Sequence, residues 1–355
     1  MKLLVTGGCG FTGHAVIRHL VERSPGLKVT VLDSLRRRGA ERNVADLEAL
    51  GVIVVHGDVR VASDFDDLSD VDWVIDCAAE PSVLAGTVGQ RTASKRQLVE
   101  HNLLGTLNVL EFAARHGAGV VLLSTSRVYS ISALSSIPLA IRDDAFEPIV
   151  EKDGPTGLSH FGVGETFTTA APISLYGATK SASEVLAWEY AADVGMPIFV
   201  NRCGVLAGGG QFGRADQGIF SWWIRQWVDQ QPLSYIGFGG HGHQVRDCLH
   251  PRDLATLLEI QLRTPAAAFA EPLNVSGGPS SARSLAQLSR WCRAEIGDHA
   301  IGVIADQRQN DVPWLVLDNR KAAARFSWRP EITPEEIFLE ILTEHRAENS
   351  RRGDD

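Results

Sequence analysis

Short runs of β-branched and apolar residues alternate with helical patterns between residues 2 and 202. The runs are five or six residues long and apolar almost throughout, which is typical of strands buried on both faces of a parallel sheet. They are Lys2–Thr6, Val29–Asp33, Val52–His56, Trp73–Cys77, Val120–Thr125 and Ile198–Arg202. The helical stretches between them are Gly13–Arg23, Arg96–His116 and Tyr176–Val194. This alternation predicts an α/β fold built on a doubly wound parallel sheet.

The length of the chain indicates two lobes. Its 355 residues exceed the ~250–300 that one hydrophobic core usually serves. After Arg202 the pattern becomes mixed, which predicts a smaller C-terminal α/β lobe. We expect a first lobe over 1–202 and 246–275, an irregular insertion within it over 130–172, a second lobe over 203–245 and 276–346, and a frayed tail over 347–355.

Composition excludes several classes of protein. The net charge is −9, and the acidic residues are spread along the chain, so a nucleic-acid partner is not expected. No apolar run approaches the ~20 residues that span a bilayer, and we expect no membrane association. The five cysteines lack the spacing of metal ligands. We therefore predict a cytoplasmic protein without a bound metal.

A glycine-rich loop follows the first predicted strand. Gly7, Gly10 and Gly13 stand three residues apart, between a strand and a helix. Such glycines allow a tight turn, a close approach of the backbone to a pyrophosphate, and close packing of the helix on the sheet. The free N–H groups of the helix N-terminus then face the phosphates. The loop predicts a dinucleotide site in a Rossmann-type sheet.

Asp33 ends the second predicted strand, 20 residues after Gly13. A carboxylate there accepts hydrogen bonds from the ribose hydroxyls and repels a 2′-phosphate, which favours NAD over NADP. Three arginines at 36–38 could instead accept that phosphate. Asp58, after the third strand, is placed to reach the adenine, although it could equally cap a turn.

Tyr176 and Lys180 lie one helical turn apart at the start of a predicted helix. A lysine ammonium favours the phenolate, and a tyrosine that acts as a base at neutral pH needs its pKa lowered by ~3 units. The strand before the insertion ends in the hydroxyl residues Ser124, Thr125 and Ser126, and ligands of open α/β sheets bind at such carboxyl ends. The residues alone do not choose among these three hydroxyls.

These motifs resemble the extended short-chain dehydrogenase/reductase superfamily, in its nucleotide-sugar epimerase/dehydratase branch. The resemblance rests on the glycine loop, Asp33, the run Ser124–Tyr129 and the motif Tyr176–Lys180. It implies an NAD-dependent enzyme with Thr125, Tyr176 and Lys180 as catalytic residues. It places the cofactor against Gly7, Gly10, Phe11, Gly13, Asp33, Asp58, Val59, Ala78, Asn102, Tyr176 and Lys180.

The second half most resembles the CDP-sugar 2-epimerases of this branch, through Gly209–Phe212 and Gln244–His250. The resemblance implies that a sugar carbon is inverted by transient oxidation to a keto sugar and re-reduction, in a homodimer. The partner would be a nucleotide-diphosphate sugar, with a CDP-sugar favoured. The implied substrate-binding residues are Ser126, Arg127, Arg202, Gln211, Gln217, Gln244, Arg246 and Arg308.

Other reactions stay open at this point. Dehydratases of the branch carry Asp-Glu directly after the catalytic threonine, where this chain has Ser126 and Arg127. A nucleotide-sugar 4-epimerase or another sugar-nucleotide oxidoreductase remains an alternative, because the residues such enzymes need are present. A non-catalytic NAD-sensing protein would be expected to lose Tyr176 or Lys180, and the chain has both.

Overall fold

The centre of the molecule is a seven-stranded parallel sheet. The computed structural model describes residues 1–37, 39–84, 94–214, 217–264 and 271–353. The strands are β1 (Lys2–Thr6), β2 (Lys28–Asp33), β3 (Ile53–His56), β4 (Trp73–Asp76), β5 (Gly119–Thr125), β6 (Leu139–Arg142), β7 (Ala145–Pro148), β8 (Leu158–Ser159), β9 (Gly162–Val163), β10 (Ile198–Cys203), β11 (Val205–Leu206), β12 (Leu233–Ile236), β13 (Val245–Leu249), β14 (Leu273–Val275), β15 (Ala282–Ser284), β16 (Ile301–Ile304) and β17 (Trp314–Leu315).

Helices pack on both faces of this sheet and in the second half of the chain. They are α1 (Phe11–Arg23), α2 (Ala40–Ala49), α3 (Lys95–Val99), α4 (Gly105–His116), α5 (Ile131–Ser135), α6 (Ser174–Val194), α7 (Ile219–Val228), α8 (Pro251–Arg263), α9 (Leu285–Glu295), α10 (Arg320–Phe326) and α11 (Pro334–Gly353). Helices α1, α8 and α10 pack on one face, and α4 and α6 pack on the other. The predicted α/β class is confirmed.

The order of the strands determines where a ligand can bind. They run β14-β10-β5-β4-β1-β2-β3, and every neighbouring pair is parallel. The chain fills one side of β1 with β2 and β3 and then returns to its other side with β4. Ligands of such sheets bind in the crevice that this reversal opens at the carboxyl ends of the strands.

The second half adds smaller sheets around a separate core. Strands β11, β13, β15 and β17 form one sheet, and β12 pairs with β16. Buried side chains of α7, α9 and α11 make the core that packs beside them. The division into lobes at residues 202 and 245 stays a prediction.

Among the described residues, no helix is both long and apolar enough to cross a membrane.

The insertion over 130–172 has more regular structure than the sequence predicts. It contains α5 and two antiparallel hairpins, β6–β7 and β8–β9. Its apolar side chains share a core with residues 312–317. The Glu165 carboxylate also accepts a hydrogen bond of 2.9 Å from the Asn274 N–H on β14. Contacts distant in sequence fold this segment, so its own sequence shows no sustained period.

The prediction of a frayed tail from residue 347 is wrong for the residues that the structure describes, because α11 continues to Gly353. The reason is a set of polar contacts to distant residues. Glu348 accepts a hydrogen bond of 2.9 Å from Arg225, and Asn349 donates one of 2.9 Å to Asp229. Residues 354 and 355 lie outside the described residues.

Candidate active site

A cavity of about 580 Å³ opens at the carboxyl ends of the central strands. Its lining includes Gly7 after β1, Asp33 at the end of β2, Thr125 at the end of β5 and Cys203 at the end of β10. Residues of the second half, among them Gln244 and those near 308, close the opposite side. The crevice predicted by the strand order therefore contains this cavity.

The glycine loop fits a pyrophosphate. Gly7 has φ of +65°, and a Cβ there would lie 2.9 Å from the backbone of Ala78. A Cβ on Gly13 would lie 2.6 Å from the Gly7 carbonyl oxygen. No side chain caps the N-terminus of α1 at Gly10, so its N–H groups are open to a ligand. Gly7, Gly10, Phe11 and Gly13 all line the cavity.

Asp33 lies at the edge of the same loop. Its carboxylate accepts hydrogen bonds from the N–H groups of Cys9 at 2.9 Å and Leu35 at 2.8 Å. These bonds fix the carboxylate on the wall of the cavity, where a ribose would meet it. Arg36 and Arg37 line the cavity too, whereas Arg38 lies outside the described residues.

Asp58, Val59 and Ala78 line the cavity beside this loop. The Asp58 carboxylate is paired with the Arg60 guanidinium at 2.6 Å. The hydrogen bond from Arg60 lowers the pKa of Asp58. Both interpretations of Asp58, as an adenine ligand and as a residue that closes a turn, are therefore compatible with its position.

Asn102 is not among the residues that line the cavity, and its contact with the cofactor stays a prediction. It is fully buried, and its side-chain oxygen and nitrogen bond the N–H and carbonyl of Glu80 at 2.8 and 3.0 Å. The nitrogen also reaches the Thr179 hydroxyl at 3.3 Å. Asn102 thus fixes the backbone of Glu80, which does line the cavity, beside the turn of α6 that carries Tyr176. Sequence reasoning did not predict Glu80 as a residue of the cavity, because its contact with Asn102 forms only when the chain folds.

Thr125, Tyr176 and Lys180 come together at the floor of the cavity. The Thr125 hydroxyl accepts a hydrogen bond of 3.2 Å from the Arg127 N–H, and its side chain is hydrogen-bonded to the Tyr176 phenol. Lys180 is only 2% exposed. This is the arrangement that a tyrosine base with a neighbouring hydroxyl requires.

The phenol of Tyr176 is protonated in the protein alone. Burial raises the pKa of Tyr176 to about 12, and the bond to Thr125 and the charges of Arg127 and Arg37 oppose this only in part. Burial also raises the pKa of Cys203, which lines the cavity beside it, to about 12. A working base therefore requires a further positive charge near the ring.

Seven of the eight predicted substrate-binding residues line the cavity. They are Ser126, Arg127, Gln211, Gln217, Gln244, Arg246 and Arg308. Gln211 is already bonded to the Leu206 carbonyl and the Ser221 hydroxyl. Gln217 accepts a hydrogen bond of 2.7 Å from Arg37. The buried side-chain oxygen of Gln244 has no partner among the described residues.

Arg202 is the exception, because it is not among the residues that line the cavity. Its guanidinium pairs with Glu184 of α6 at 2.6 Å and lies 5.2 Å from the centre of the Tyr129 ring. Arg202 is 5% exposed and Glu184 only 1%. Glu184 provides the carboxylate that a buried guanidinium needs. Arg202 therefore supports the carboxyl ends of the strands, and its contact with substrate stays a prediction.

Arg246 is a second buried cation that lines the cavity. Its guanidinium pairs with Asp311 at 2.7 Å and donates to the Val312 carbonyl at 2.7 Å. Burial lowers the pKa of Arg246 to about 10, so it stays charged at neutral pH. An arginine fork held in this way suits a phosphate group.

A comparison with protein families matches residues 3–276 to one described as the NAD dependent epimerase/dehydratase family. The chain belongs to this family. It is therefore an NAD-dependent enzyme that acts on sugar nucleotides, and the resemblance and the cofactor predicted from the sequence are confirmed. The glycine loop and Asp33 are the residues that would hold NAD.

Relatives within the NAD dependent epimerase/dehydratase family catalyse different reactions. The chain is 28% identical to CDP-paratose 2-epimerase of Salmonella typhi, over 94% of this chain and 96% of the relative. It is 30% identical to dTDP-glucose 4,6-dehydratase of Streptomyces antibioticus, over 93% and 88%. A double mutant of DesIV, the dTDP-glucose 4,6-dehydratase of Streptomyces venezuelae, with NAD bound has a similar structure, with a TM-score of 0.77, 26% identity and coverage of 99% and 98%. These identities do not separate epimerases from dehydratases.

Proposed function

We propose that this family member is a nucleotide-sugar epimerase, most like the CDP-sugar 2-epimerases. The observation that carries the proposal is the chemistry beside Thr125. A dehydratase must protonate a leaving hydroxyl, which needs an acid next to the reacting sugar. The two residues after Thr125 are instead Ser126 and Arg127, and both line the cavity.

Three of the remaining cavity carboxylates support this interpretation, because other groups hold them. Four line the cavity within the described chain. Asp33 is held by two N–H groups, Asp58 by Arg60 and Asp311 by Arg246. The fourth, Glu80, has its backbone fixed by Asn102. An epimerase needs no carboxylic acid at the sugar, because one base can remove a hydroxyl proton and return it.

Tyr176 is the residue we assign to this proton transfer. Its phenolic oxygen would take the proton of a sugar hydroxyl, while Thr125 holds that hydroxyl in line. Lys180 supplies a buried positive charge one helical turn from the ring. NAD, when bound, supplies a reversible hydride acceptor. Tyr176 would later return the proton to the same oxygen, so the reaction consumes no acid or base.

Inversion requires that the oxidised sugar turn over inside the cleft. The residues must therefore hold the diphosphate firmly and leave the sugar ring free to rotate. We assign the diphosphate to Arg246 and Arg308, which both line the cavity. The preference for a cytidine nucleotide is supported by the similarity to CDP-paratose 2-epimerase. We further propose that the enzyme works in the cytoplasm as a homodimer.

The experiment is to incubate the NAD-loaded protein with CDP-, UDP-, GDP- and dTDP-hexoses and identify products by NMR. We expect one nucleotide sugar to give a product inverted at a single carbon, with no net NADH at 340 nm. Loss of water from the sugar, or accumulation of NADH, would refute the proposal. The position of the inverted carbon separates a 2-epimerase from a 4-epimerase.

A further inference from the structure

Arg127 is fixed beside the catalytic tyrosine by its own backbone. A Cβ on Gly177, the residue after Tyr176, would lie 2.2 Å from the Arg127 carbonyl oxygen, so the two backbones touch. The Arg127 N–H donates to the Thr125 hydroxyl at 3.2 Å. The side chain therefore starts from a fixed point between two catalytic groups and faces the cavity.

The guanidinium of Arg127 extends towards the opposite wall. It donates a hydrogen bond of 3.3 Å to the carbonyl of Asn310. The next residue, Asp311, holds Arg246 at 2.7 Å. The charge of Arg127 lowers the pKa of both Tyr176 and Arg246, in each case as a smaller effect than burial. Arg127 thus lies between the proposed base and the proposed diphosphate site, where the sugar must lie.

The charge of Arg127 has no carboxylate partner within 4.0 Å among the described residues. Arg202 and Arg246, in contrast, each have a carboxylate partner, which is Glu184 for Arg202 and Asp311 for Arg246. A main-chain carbonyl uses only one of the five N–H donors of a guanidinium. The remaining donors form a planar fork whose natural partner is a carboxylate or a phosphate.

We propose that Arg127 binds an anionic substituent of the sugar, so that the substrate is a nucleotide-activated acidic hexose such as a hexuronic acid. The proposal rests on the proposed function, because it takes the sugar to lie between Tyr176 and Arg246. It adds a specificity-determining residue and the chemical class of the sugar. A hexose carboxylate would complete the fork of Arg127, whereas a neutral hydroxymethyl group would leave its charge unpaired.

The test compares UDP-glucuronic acid with UDP-glucose, which share the base, the diphosphate and the ring. Their dissociation constants are measured by calorimetry on the NAD-loaded protein, so the result does not depend on turnover. We expect the wild type to bind the acid more tightly by about tenfold or more, the size of one charge-assisted pair. Arg127→Gln should reduce the ratio to about one with the affinity for UDP unchanged, and Arg127→Lys should keep part of the preference.

The control is Arg283→Gln. Arg283 also lines the cavity, but Glu335 pairs with it at 2.7 Å, so its loss should change the binding of both nucleotides by the same factor. Equal affinity of the wild type for the two sugars would overturn the proposal. So would an Arg127→Gln variant that loses UDP itself, because Arg127 would then bind the diphosphate. Failure of the proposed function would instead appear as absent epimerisation across all nucleotide sugars.

Discussion

The buried pair of Glu184 and Arg202 gives the sharpest test of the architecture behind the site. Glu184→Gln keeps the shape of the side chain but removes its charge, and it leaves the Arg202 guanidinium unpaired at 5% exposure. The change replaces a carboxylate that accepts three bonds from Arg202, at 3.0, 3.2 and 2.6 Å, and one from the Ser124 hydroxyl. Breaking one partner of such a buried pair costs about 3–5 kcal/mol of unfolding free energy.

Urea unfolding followed by circular dichroism measures this loss. The matched control is Glu22→Gln, because Glu22 pairs with Arg18 at 3.5 Å on the surface, with side chains 57% and 48% exposed. That variant should lose less than about 1 kcal/mol. The double variant Glu184→Gln/Arg202→Met should recover most of the stability, since it removes the unpaired charge. A loss below about 1 kcal/mol in Glu184→Gln would refute the reasoning.

Two further predictions address the site itself, and a third addresses Asp247, the buried residue that follows Arg246 on β13. Tyr176→Phe should lower kcat by about 10²–10⁴-fold, because the proton transfer is lost. It should leave NAD bound, as measured by the absorbance of the cofactor released on denaturation. Activity within tenfold of the wild type would contradict the assignment. Gly13→Ala should purify without NAD but folded, because its Cβ would lie 2.6 Å from the Gly7 carbonyl oxygen; a cofactor content equal to the wild type would contradict the fit. Burial raises the pKa of Asp247 to about 6, above the ~3.9 of an unfolded chain, so the folded protein binds this proton more tightly. Below pH ~4 this proton contributes about 3 kcal/mol to the free energy of unfolding, and the contribution is lost as the pH rises through 6. Asp247→Asn should remove this pH dependence, as measured by urea unfolding from pH 4 to 7.

The central sheet and the cofactor loop could be predicted because their signals are local. A strand buried on both faces reads as a continuous apolar run, and the turn at Gly7 admits few other residues. Tyr176 and Lys180 are one helical turn apart, so their proximity also follows from the sequence. These features need no knowledge of what lies across the fold.

The contacts that the sequence did not predict join residues distant in the chain. Arg202 ends a strand at the site, as a substrate ligand would, but its guanidinium forms an ion pair with Glu184 on α6. Asn102 likewise bonds Glu80 instead of facing the cavity. Glu184 lies four residues after Lys180, on the same face of α6. A carboxylate at that buried position is a signal that could have predicted an internal partner for Arg202.

The insertion shows the same limit. Its hairpins are stabilised by residues 312–317 and by a bond from Asn274 to Glu165. None of these partners is near in sequence, and the polar residues of the insertion follow no sustained period. Tertiary contacts therefore add to the local pairing of the two hairpins in ordering this segment.

The most direct test of the central claim follows the hydrogen on the inverted carbon. The NAD-loaded protein is incubated in deuterated water with the nucleotide sugar that it converts, and the product is examined by NMR and mass spectrometry. Because a hydride transferred to and from the cofactor does not exchange with water, we predict an inverted product without deuterium on carbon and with no loss of water. A dehydrated product, or deuterium on the inverted carbon, would contradict the account.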